Sequence, residues 1–323
     1  MGRFIAVRVA SLIVSLFVAS VLIFAVLRLL PGGPAGSLLG VGTTAEQLEQ
    51  LREELGMNQS LVAQYGDWIG GLFSGSTTSF VSGMPVNELI ASKLPVTIPL
   101  SLAAFVVSVL VSVPLGVIAG VYRNSAIGVG VSALSQLGLA VPVFWVGVVL
   151  VWVFSLQAGI LPSGGFPRQG WNDFGGAVSA LVLPVITIAI AMSSIMVRYV
   201  RSATLDVLDA DYIRTARSIG FSRGGALARH GLRNGAVPVV AILGIELATS
   251  LLGAVVVENV FALPGLGSEL LSAVTSRDFP VIQNLVLFLT AVVLVMNFAV
   301  DLIQRAIDPR LRLVSASAGG GAL

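Results

Sequence analysis

Six long apolar runs constrain this chain more than any other feature of its sequence. Each run is close to the ~20 residues that a helix needs to cross a lipid bilayer, and five of the six contain no charged residue. The runs are Val9–Leu27, Val96–Val121, Val131–Leu156, Ala177–Val197, Gly235–Val257 and Pro280–Val300. Charged residues make up 11% of the chain, against roughly 25% in soluble domains. The sequence therefore predicts an all-α polytopic membrane protein with six transmembrane helices.

Residue counts exclude several kinds of chemistry. The chain has no cysteine and a single histidine, His230, which excludes thiolate chemistry and a histidine-rich zinc cluster. The single lysine, Lys93, does not end a Gly-rich phosphate-binding loop. The apolar runs contain no Ser/His pair, no paired aspartates and no set of metal ligands. We therefore expect a non-catalytic subunit with no cofactor of its own, and we expect any ATP to bind to another chain.

The distribution of Lys and Arg indicates which side of the membrane each loop faces. With the amino terminus in the cytoplasm, thirteen of the eighteen positive residues fall on cytoplasmic segments, as the positive-inside rule requires. Both termini are then cytoplasmic. A basic cytoplasmic face is typical of contact with anionic lipid. Because no basic and aromatic residues interleave, no nucleic-acid partner is expected.

This topology divides the chain into four parts. Residues 1–30 form an amino-terminal transmembrane helix, which we expect to be retained because its apolar run is longer than a signal peptide's and no small-x-small cleavage site follows it. Residues 31–95 form an extracytoplasmic region. Residues 96–304 carry the other five transmembrane helices, and residues 305–323 form a cytoplasmic tail.

The extracytoplasmic region is predicted to contain short helices. Thr44 and Gln47 have the spacing of a capping box for one of them. A second helix is predicted around Leu61, Tyr65 and Trp68, which have helical spacing. No residues in this region form a recognisable chemical site, so we expect an interfacial cap packed on the membrane domain.

The cytoplasmic segment of about residues 198–234 is longer than a connector needs to be and lacks the composition of a disordered linker. Asp209 is predicted to cap a first helix, whose apolar stripe contains Tyr212, Ile213, Ala216 and Ile219. Gly220 is predicted to end that helix in a left-handed conformation, and Ser222 to cap a second short helix. The pattern predicts a protruding knob of two short helices. The knob suits a groove in a partner protein, but the same pattern also fits an amphipathic pair lying on anionic lipid.

Several motifs resemble the permeases of binding-protein-dependent ATP-binding cassette (ABC) importers, in the dipeptide, oligopeptide and nickel group. Asp211-Tyr-Ile-Arg-Thr-Ala-Arg-Ser-Ile-Gly220 is similar to the EAA loop of that family. The other matching stretches are Leu30-Pro-Gly-Gly-Pro34, Leu161-Pro-Ser-Gly-Gly165, Glu258-Asn-Val-Phe-Ala-Leu-Pro-Gly-Leu-Gly267, Arg277-Asp-Phe-Pro280 with Gln283, and Asp308-Pro309-Arg310. Each is short, but their order and spacing together make the resemblance specific.

The resemblance implies a B-type permease with the type I importer fold, in the bacterial plasma membrane. It implies three kinds of partner: a second permease that completes a heterodimer, two ATPase subunits that bind ATP and Mg²⁺, and an extracytoplasmic binding protein. The knob would be the coupling element that docks on an ATPase. The residues that this resemblance assigns to coupling are Arg214, Thr215, Ala216, Arg217, Gly220, Phe221, Ser222, Arg223 and Arg229.

The chain departs from the family pattern in three places. Arg214 and Thr215 occupy the Glu-Ala start of the general EAA motif. Gly231-Leu232-Arg233 stands where many permeases have Ile-Leu-Pro, and Gly33 replaces the Asp of the first-loop motif. The third departure leaves the role of that turn open. The arginines of the knob are expected either to contact a partner or only to enforce the membrane orientation, and Ala216 is expected to be small so that the helix can approach its partner.

Glu246 is the one ionisable residue within the apolar runs. Such a group is costly inside a membrane and faces a cavity or a partner by default. We expect Glu246 either to line the translocation path or to lie protonated or hydrogen-bonded at the interface with the second permease. Gln136, Asn284 and Asn297 are weaker polar candidates for the same path or interface. His230 is expected to be a surface residue.

Two other function classes fit a polytopic membrane protein. An ion-coupled secondary transporter usually has several intramembrane ionisable groups or repeated halves, and an intramembrane enzyme needs a catalytic set. The sequence favours the importer permease over both. It leaves the substrate open among dipeptides, oligopeptides, nickel and other solutes.

Overall fold

A computed structural model of the protein describes residues 2–29, 53, 58–226, 229 and 231–307. The described residues are helical and form no β-strand. The capping box at Thr44, the motifs Leu30–Pro34 and Asp308–Arg310, and His230 lie outside these residues.

The helices follow the apolar runs and the predicted short elements. The α-helices are α1 (Gly2–Leu29), α2 (Leu61–Ser74), α3 (Val86–Val121), α4 (Ala126–Ala140), α5 (Val143–Leu150), α6 (Phe174–Leu208), α7 (Asp211–Ser218), α8 (Arg223–Ala226), α9 (Leu232–Val260), α10 (Leu266–Thr275) and α11 (Phe279–Ile307). A π-helix, Val151–Gln157, continues α5, and a 3₁₀ turn, Gly170–Asn172, precedes α6. The predicted helix around Tyr65 is confirmed as α2.

Five described helices, α1, α3, α6, α9 and α11, are long and apolar enough to cross a membrane. The third predicted span is not one straight helix. It is the pair formed by α4 and by α5 with its π-helix, bent by 101° at Val141 and Pro142. Pro142 has no N–H to continue the hydrogen-bond ladder of α4, so the helix ends there.

The contacts at the two ends of the bent pair indicate that it is one crossing. Its first end lies beside the knob, because Arg123, two residues before Ser125 caps α4, contacts Asp209 at 3.1 Å. Its other end leads to Gly165, whose N–H donates to the carbonyl of Phe261 at 2.7 Å. Since α9 runs from the knob side to Phe261, the pair connects the two ends of α9. We count it as one crossing, which agrees with the six predicted spans.

The contacts divide the described residues into two compact units. The first comprises those within Met1–Thr97 and Pro264–Val295, and the second those within Ile98–Leu263 and from Met296 onward. Each unit has its own buried core.

In the first unit, aromatic side chains join α1 to α2. The Phe24 ring stacks on Trp68 with centroids 6.1 Å apart and meets Tyr65 edge-on at 5.5 Å. The Tyr65 hydroxyl shares a hydrogen bond of 2.7 Å with Ser20. Such contacts stabilise the pairing through both apolar burial and ring geometry.

Two polar contacts hold the loops of the first unit. The buried carboxylate of Asp278 accepts hydrogen bonds from the Ser79 hydroxyl at 2.5 Å and from the N–H groups of Phe80 and Val81 at 3.2 and 3.3 Å. Lys93 forms a 3.0 Å ion pair with Glu269 of α10. The motif around Asp278 therefore anchors the loop between α2 and α3.

In the second unit, α6 is the most buried of the long helices. It extends eleven residues beyond the predicted span, so that residues 198–208 belong to the helix and not to a cytoplasmic loop. The extension has a physical reason. Val200, Ala203 and Val207 continue the buried stripe of the helix at spacings of three and four residues.

Two of the motifs that carried the family resemblance pack against each other in this unit. A Cβ atom on Gly164 would lie 2.4 Å from the carbonyl oxygen of Phe261, so this position requires glycine for close approach. The Phe261 side chain is itself buried. The turn after the third span and the end of α9 therefore form one packed corner.

Candidate functional site

The knob, residues 209–226, begins where α6 ends. Asp209 caps the carboxyl end of α6, with its N–H bonded to the carbonyl of Leu205 at 3.0 Å. Ala210 is extended, and α7 starts at Asp211 without a side-chain cap. The prediction that Asp209 caps the first knob helix is therefore wrong. Its carboxylate instead accepts from the Arg123 guanidinium, at 3.1 Å to Oδ2 and 3.4 Å to Oδ1.

The inner face of α7 packs against this chain's own helices. Ile213 is 1% exposed, and it is buried in a cluster that we call the knob cluster. The knob cluster consists of Val207, Leu208, Ile213, Ala216 and Ala226, with Val117, Val121 and Phe221 packed against it. Ala216 thus uses its small size within this chain, on the side of α7 that faces inward.

The turn after α7 has the geometry of a Schellman motif. The N–H of Phe221 donates to the Ala216 carbonyl at 3.2 Å, and the N–H of Gly220 donates to the Arg217 carbonyl at 3.1 Å. Gly220 has φ of +101°, which confirms the predicted left-handed end. No neighbouring atom lies where its Cβ would stand. The backbone conformation, and not space, is therefore what favours glycine at this position.

The second knob helix is short. The Ser222 hydroxyl accepts from the N–H of Gly225 at 3.1 Å, which confirms Ser222 as its cap. Ala226 at the end of this helix is fully buried in the knob cluster. Arg223 lies in α8, and its side chain is outside the described part.

The outer face of the knob carries exposed residues of several kinds. The exposed residues of this face are Arg214, Thr215, Arg217, Ser218, Ile219 and Gly220. Arg214 makes a 3.4 Å ion pair with Asp211 that is open to solvent. Tyr212 and Ile219 were predicted in the apolar stripe, but their side chains are 39% and 71% exposed. An exposed isoleucine flanked by arginines can contribute both apolar and charged contacts to a partner.

One basic residue, Arg229, and one aromatic residue, Phe221, complete the site. The guanidinium of Arg229, which is itself exposed, lies 5.8 Å from the centre of the Phe221 ring. The side chain of Phe221 also packs against the knob cluster. Phe221 therefore connects the buried and exposed faces of the knob.

The structure separates the four candidates for the translocation path. Gln136 on α4 and Asn297 on α11 have exposed side chains. Glu246 on α9 is only 6% exposed, so it is enclosed by this chain's own helices. Asn284 is buried in the first unit, where its amide accepts from Trp68 Nε1 at 3.2 Å and donates to the Pro280 carbonyl at 2.8 Å. Those two bonds give Asn284 a structural role between α2 and α11.

Two residues near these sites were missed by the sequence reasoning. Arg123 was read only as a topology signal, and its contact with Asp209 depends on tertiary structure. The position of Asp278 could have been recognised from the local sequence. It immediately precedes a helix that has proline at its second position, which marks the start of the helix. Within the residues described, no group of three or more metal-ligating side chains comes together.

Comparison with known proteins gives matches to both halves of the chain. Residues 112–313 match the family described as "Binding-protein-dependent transport system inner membrane component". Residues 1–103 match the accompanying amino-terminal family of membrane components.

Individual relatives match over almost their full length. The oligopeptide transport system permease protein AppB of Bacillus subtilis is 36% identical over 315 residues, which cover 96% of this chain and 99% of that protein. The glutathione transport system permease protein GsiC of Escherichia coli O6:H1 is 36% identical over 313 residues, covering 97% and 99%.

Solved structures share the fold. An inward-facing MetNI methionine ABC transporter chain matches with a TM-score of 0.54 and 19% identity, covering 69% of this chain and 98% of that one. An amino acid ABC transporter solved with histidines matches with a TM-score of 0.54 and 20% identity, covering 71% and 99%. At these identities the likeness concerns the fold alone.

Proposed function

This chain belongs to the binding-protein-dependent transport system inner membrane component family, and on that premise we propose that its knob couples an ATPase to the movement of peptides across the membrane. The chain is a permease subunit of an ABC importer and a multi-pass protein of the bacterial plasma membrane. Importers of this family work with a second permease, ATPases and a binding protein. The ion-coupled secondary transporter that the sequence left open has no support in these matches.

The division of α7 into two faces is the observation that supports coupling through the knob. Ile213 and Ala216 are buried against this chain, whereas Arg214, Arg217 and Ile219 are exposed. A helix that packs against its own chain on one face and is exposed on the other can transmit the movement of a bound partner into the membrane domain. A pair of helices lying on lipid would need its apolar face outward, but Ile213 and Ala216 are turned inward, and only Tyr212 and Ile219 of the apolar stripe are exposed.

A substitution at Gly220 tests coupling through the knob. Gly220→Val forces a β-branched residue into a left-handed conformation, at a cost of about 1–2 kcal/mol or more. The matched control is Gly159→Val, because Gly159 also has a positive φ, +64°, and open space around its Cβ position. We expect Gly220→Val to reduce both co-purification of the ATPases and substrate-stimulated ATP hydrolysis, and Gly159→Val to leave both intact. Equal behaviour of the two variants would contradict the proposal.

The proposal that the substrates are peptides rests on the names of the relatives. The B. subtilis and E. coli proteins carry the names of oligopeptide and glutathione systems. An uptake assay with the whole complex tests it, using radiolabelled dipeptides, tripeptides, longer peptides and Ni²⁺ in parallel. Accumulation of Ni²⁺ without accumulation of any peptide would overturn the peptide assignment.

Three polar residues are proposed for the translocation path. Gln136 and Asn297 are exposed on this chain, so they are open to a path or to the second permease. Glu246 is enclosed, so it reaches substrate only if α9 exposes it in another state of the transport cycle. Glu246→Gln removes the charge and keeps the shape. Unchanged uptake by this variant across a range of pH would remove Glu246 as a charge-dependent contact with substrate.

ATP hydrolysis is proposed for the partner subunits. This chain would contribute no nucleotide contact, and Mg²⁺ and ATP would bind to two ATPase subunits that each receive one knob of the permease pair. Purified complexes with and without the ATPase subunits test this. ATP hydrolysis by the permease pair alone would refute it.

A further inference from the structure

The cytoplasmic end of α3 lies directly on α6. A Cβ atom on Gly116 would stand 2.5 Å from the Cβ of Val200, and one on Gly120 would stand 2.7 Å from the Cβ of Thr204. Real Cβ atoms do not approach so closely, so a larger residue at either glycine would push the two helices apart. Close approach of small residues one turn apart is how membrane helices gain packing contact without a hydrophobic driving force.

The same contact continues into the knob. Val117 and Val121 at the end of α3 pack against the knob cluster, which contains Ile213 of α7 and Val207 of α6. The end of α3 therefore touches the inner face of the knob, although some 90 residues of chain separate them.

An ion pair closes this contact on the solvent side. Arg123 follows α3 by two residues, and its guanidinium lies 3.1 Å from the carboxylate of Asp209, which stands between α6 and α7. The two side chains are partly exposed, so the pair contributes only about 0–1 kcal/mol to stability. Its position matters more than its strength. It bridges the α3–α4 turn and the point where the chain leaves α6 for the knob.

We propose that Arg123 is a positioning residue for energy coupling, which joins the end of α3 to the knob so that α3, α6 and the knob move as one rigid element. The knob is covalently continuous only with α6 and with the segment leading to α9. The noncovalent contacts at Gly116, Gly120 and Arg123 add α3 as a further route into the membrane. This inference rests on the proposed coupling role of the knob and adds a residue from a different loop.

The test measures the distance between α3 and the knob in two states of the complex. Because the chain has no cysteine, spin labels can be attached at Tyr122→Cys and Tyr212→Cys, both of which are exposed positions outside the outer face of the knob. Electron paramagnetic resonance then compares the nucleotide-free complex with the complex trapped by MgATP and vanadate, with trapping confirmed by retained nucleotide. We expect the distance to agree within about 2 Å between the states, the scale of ordinary helix shifts. A larger change in this distance would overturn the proposal that α3, α6 and the knob move as one rigid element.

Charge variants then test Arg123 itself. Arg123→Ala is expected to broaden the distance distribution in both states, and the exchanged pair Arg123→Asp with Asp209→Arg is expected to narrow it again. A distribution unchanged by Arg123→Ala, or broadened equally by the exchanged pair, would refute the positioning role. Co-purification of the ATPases is followed in parallel with the unlabelled wild-type complex. If wild-type knobs fail to retain the ATPases, the proposed function fails, whereas the distances in the nucleotide-free permease still decide whether Arg123 positions the knob.

Discussion

Replacing Ile213 with alanine is expected to loosen the knob from its inner side. Ile213 is 1% exposed and lies at the centre of the knob cluster. Deletion of a buried isoleucine side chain down to alanine costs about 2–5 kcal/mol. A mid-range loss of about 3 kcal/mol corresponds to a roughly 100-fold rise in the population of the open knob. The knob is small and borders solvent, so this loss acts on local opening before it affects the whole protein.

Hydrogen exchange of the knob amides, followed by mass spectrometry on the permease pair purified without the ATPases, measures that opening. The chain offers a matched control, because Ile219 is the same residue type six positions later and is 71% exposed. Ile219→Ala should leave exchange in the knob within a few-fold of wild type, since surface substitutions usually change stability by no more than about 0.5 kcal/mol.

The same two variants should also differ in their effect on ATPase association. Ile219→Ala removes an exposed apolar side chain from the proposed docking face, so it should weaken co-purification of the ATPases without changing exchange. Exchange rates that rise equally in both variants, or in neither, would refute the division of α7 into an inner and an outer face.

Three further predictions concern the rest of the chain. Asp278→Ala leaves the Ser79 hydroxyl and the Phe80 N–H without their acceptor, at about 1–3 kcal/mol for each unsatisfied group, so limited proteolysis should cleave the α2–α3 loop at least ten times faster. Gly164→Ala places a Cβ against a backbone carbonyl and should cost about 1–3 kcal/mol, seen as a lower melting temperature of the purified complex, whereas Gly175→Ala, with open space around it, should not lower it. Trp68→Phe keeps a smaller aromatic ring and loses the 3.2 Å hydrogen bond to Asn284, so it should cost at least about 1 kcal/mol of stability and leave the substrate concentration for half-maximal uptake unchanged.

The number and order of the membrane spans could be predicted because long apolar runs have few other solutions in lipid. The apolar run did not show how sharply the chain bends at Pro142, since both arms of the bent pair are apolar and uncharged. The proline was a visible signal, but Pro184 lies inside a continuous helix. Proline alone therefore does not distinguish a break from an uninterrupted span.

The boundaries of the knob depended on information that a single sequence does not contain. Arg198 and Arg201 end the apolar run, although the buried stripe of α6 continues to Leu208. Asp209 was a suitable helix cap by residue type, and the choice between an N-cap and an ion pair depends on where Arg123 lies. By contrast, Gly220 and Ser222 were predicted correctly because their roles are set by neighbours within five residues.

The functional residues also divide into those that helical spacing could place and those whose role depends on tertiary contacts. The exposed arginines of α7 could be placed on the knob by helical spacing. Their separation from Ala216 and Ile213 also followed from spacing, but the identity of the surface that buries those two residues did not. Asn284 was predicted as a polar residue of the path, and only its tertiary partners gave it another role.

Because α6 continues without a break to the edge of the knob, the length of this helix also sets the direction in which the knob points. The helix has 35 residues, and successive residues turn about its axis by about 100°. Inserting one residue between positions 198 and 208 would therefore swing the whole knob around the axis by about that angle, turning Asp209 away from Arg123 and the arginines of α7 toward a different direction. An insertion of seven residues, close to two full turns, would restore the direction of the knob while moving it about 10 Å along the axis. Evolution of this segment is thus expected to tolerate substitution far more readily than any change of length.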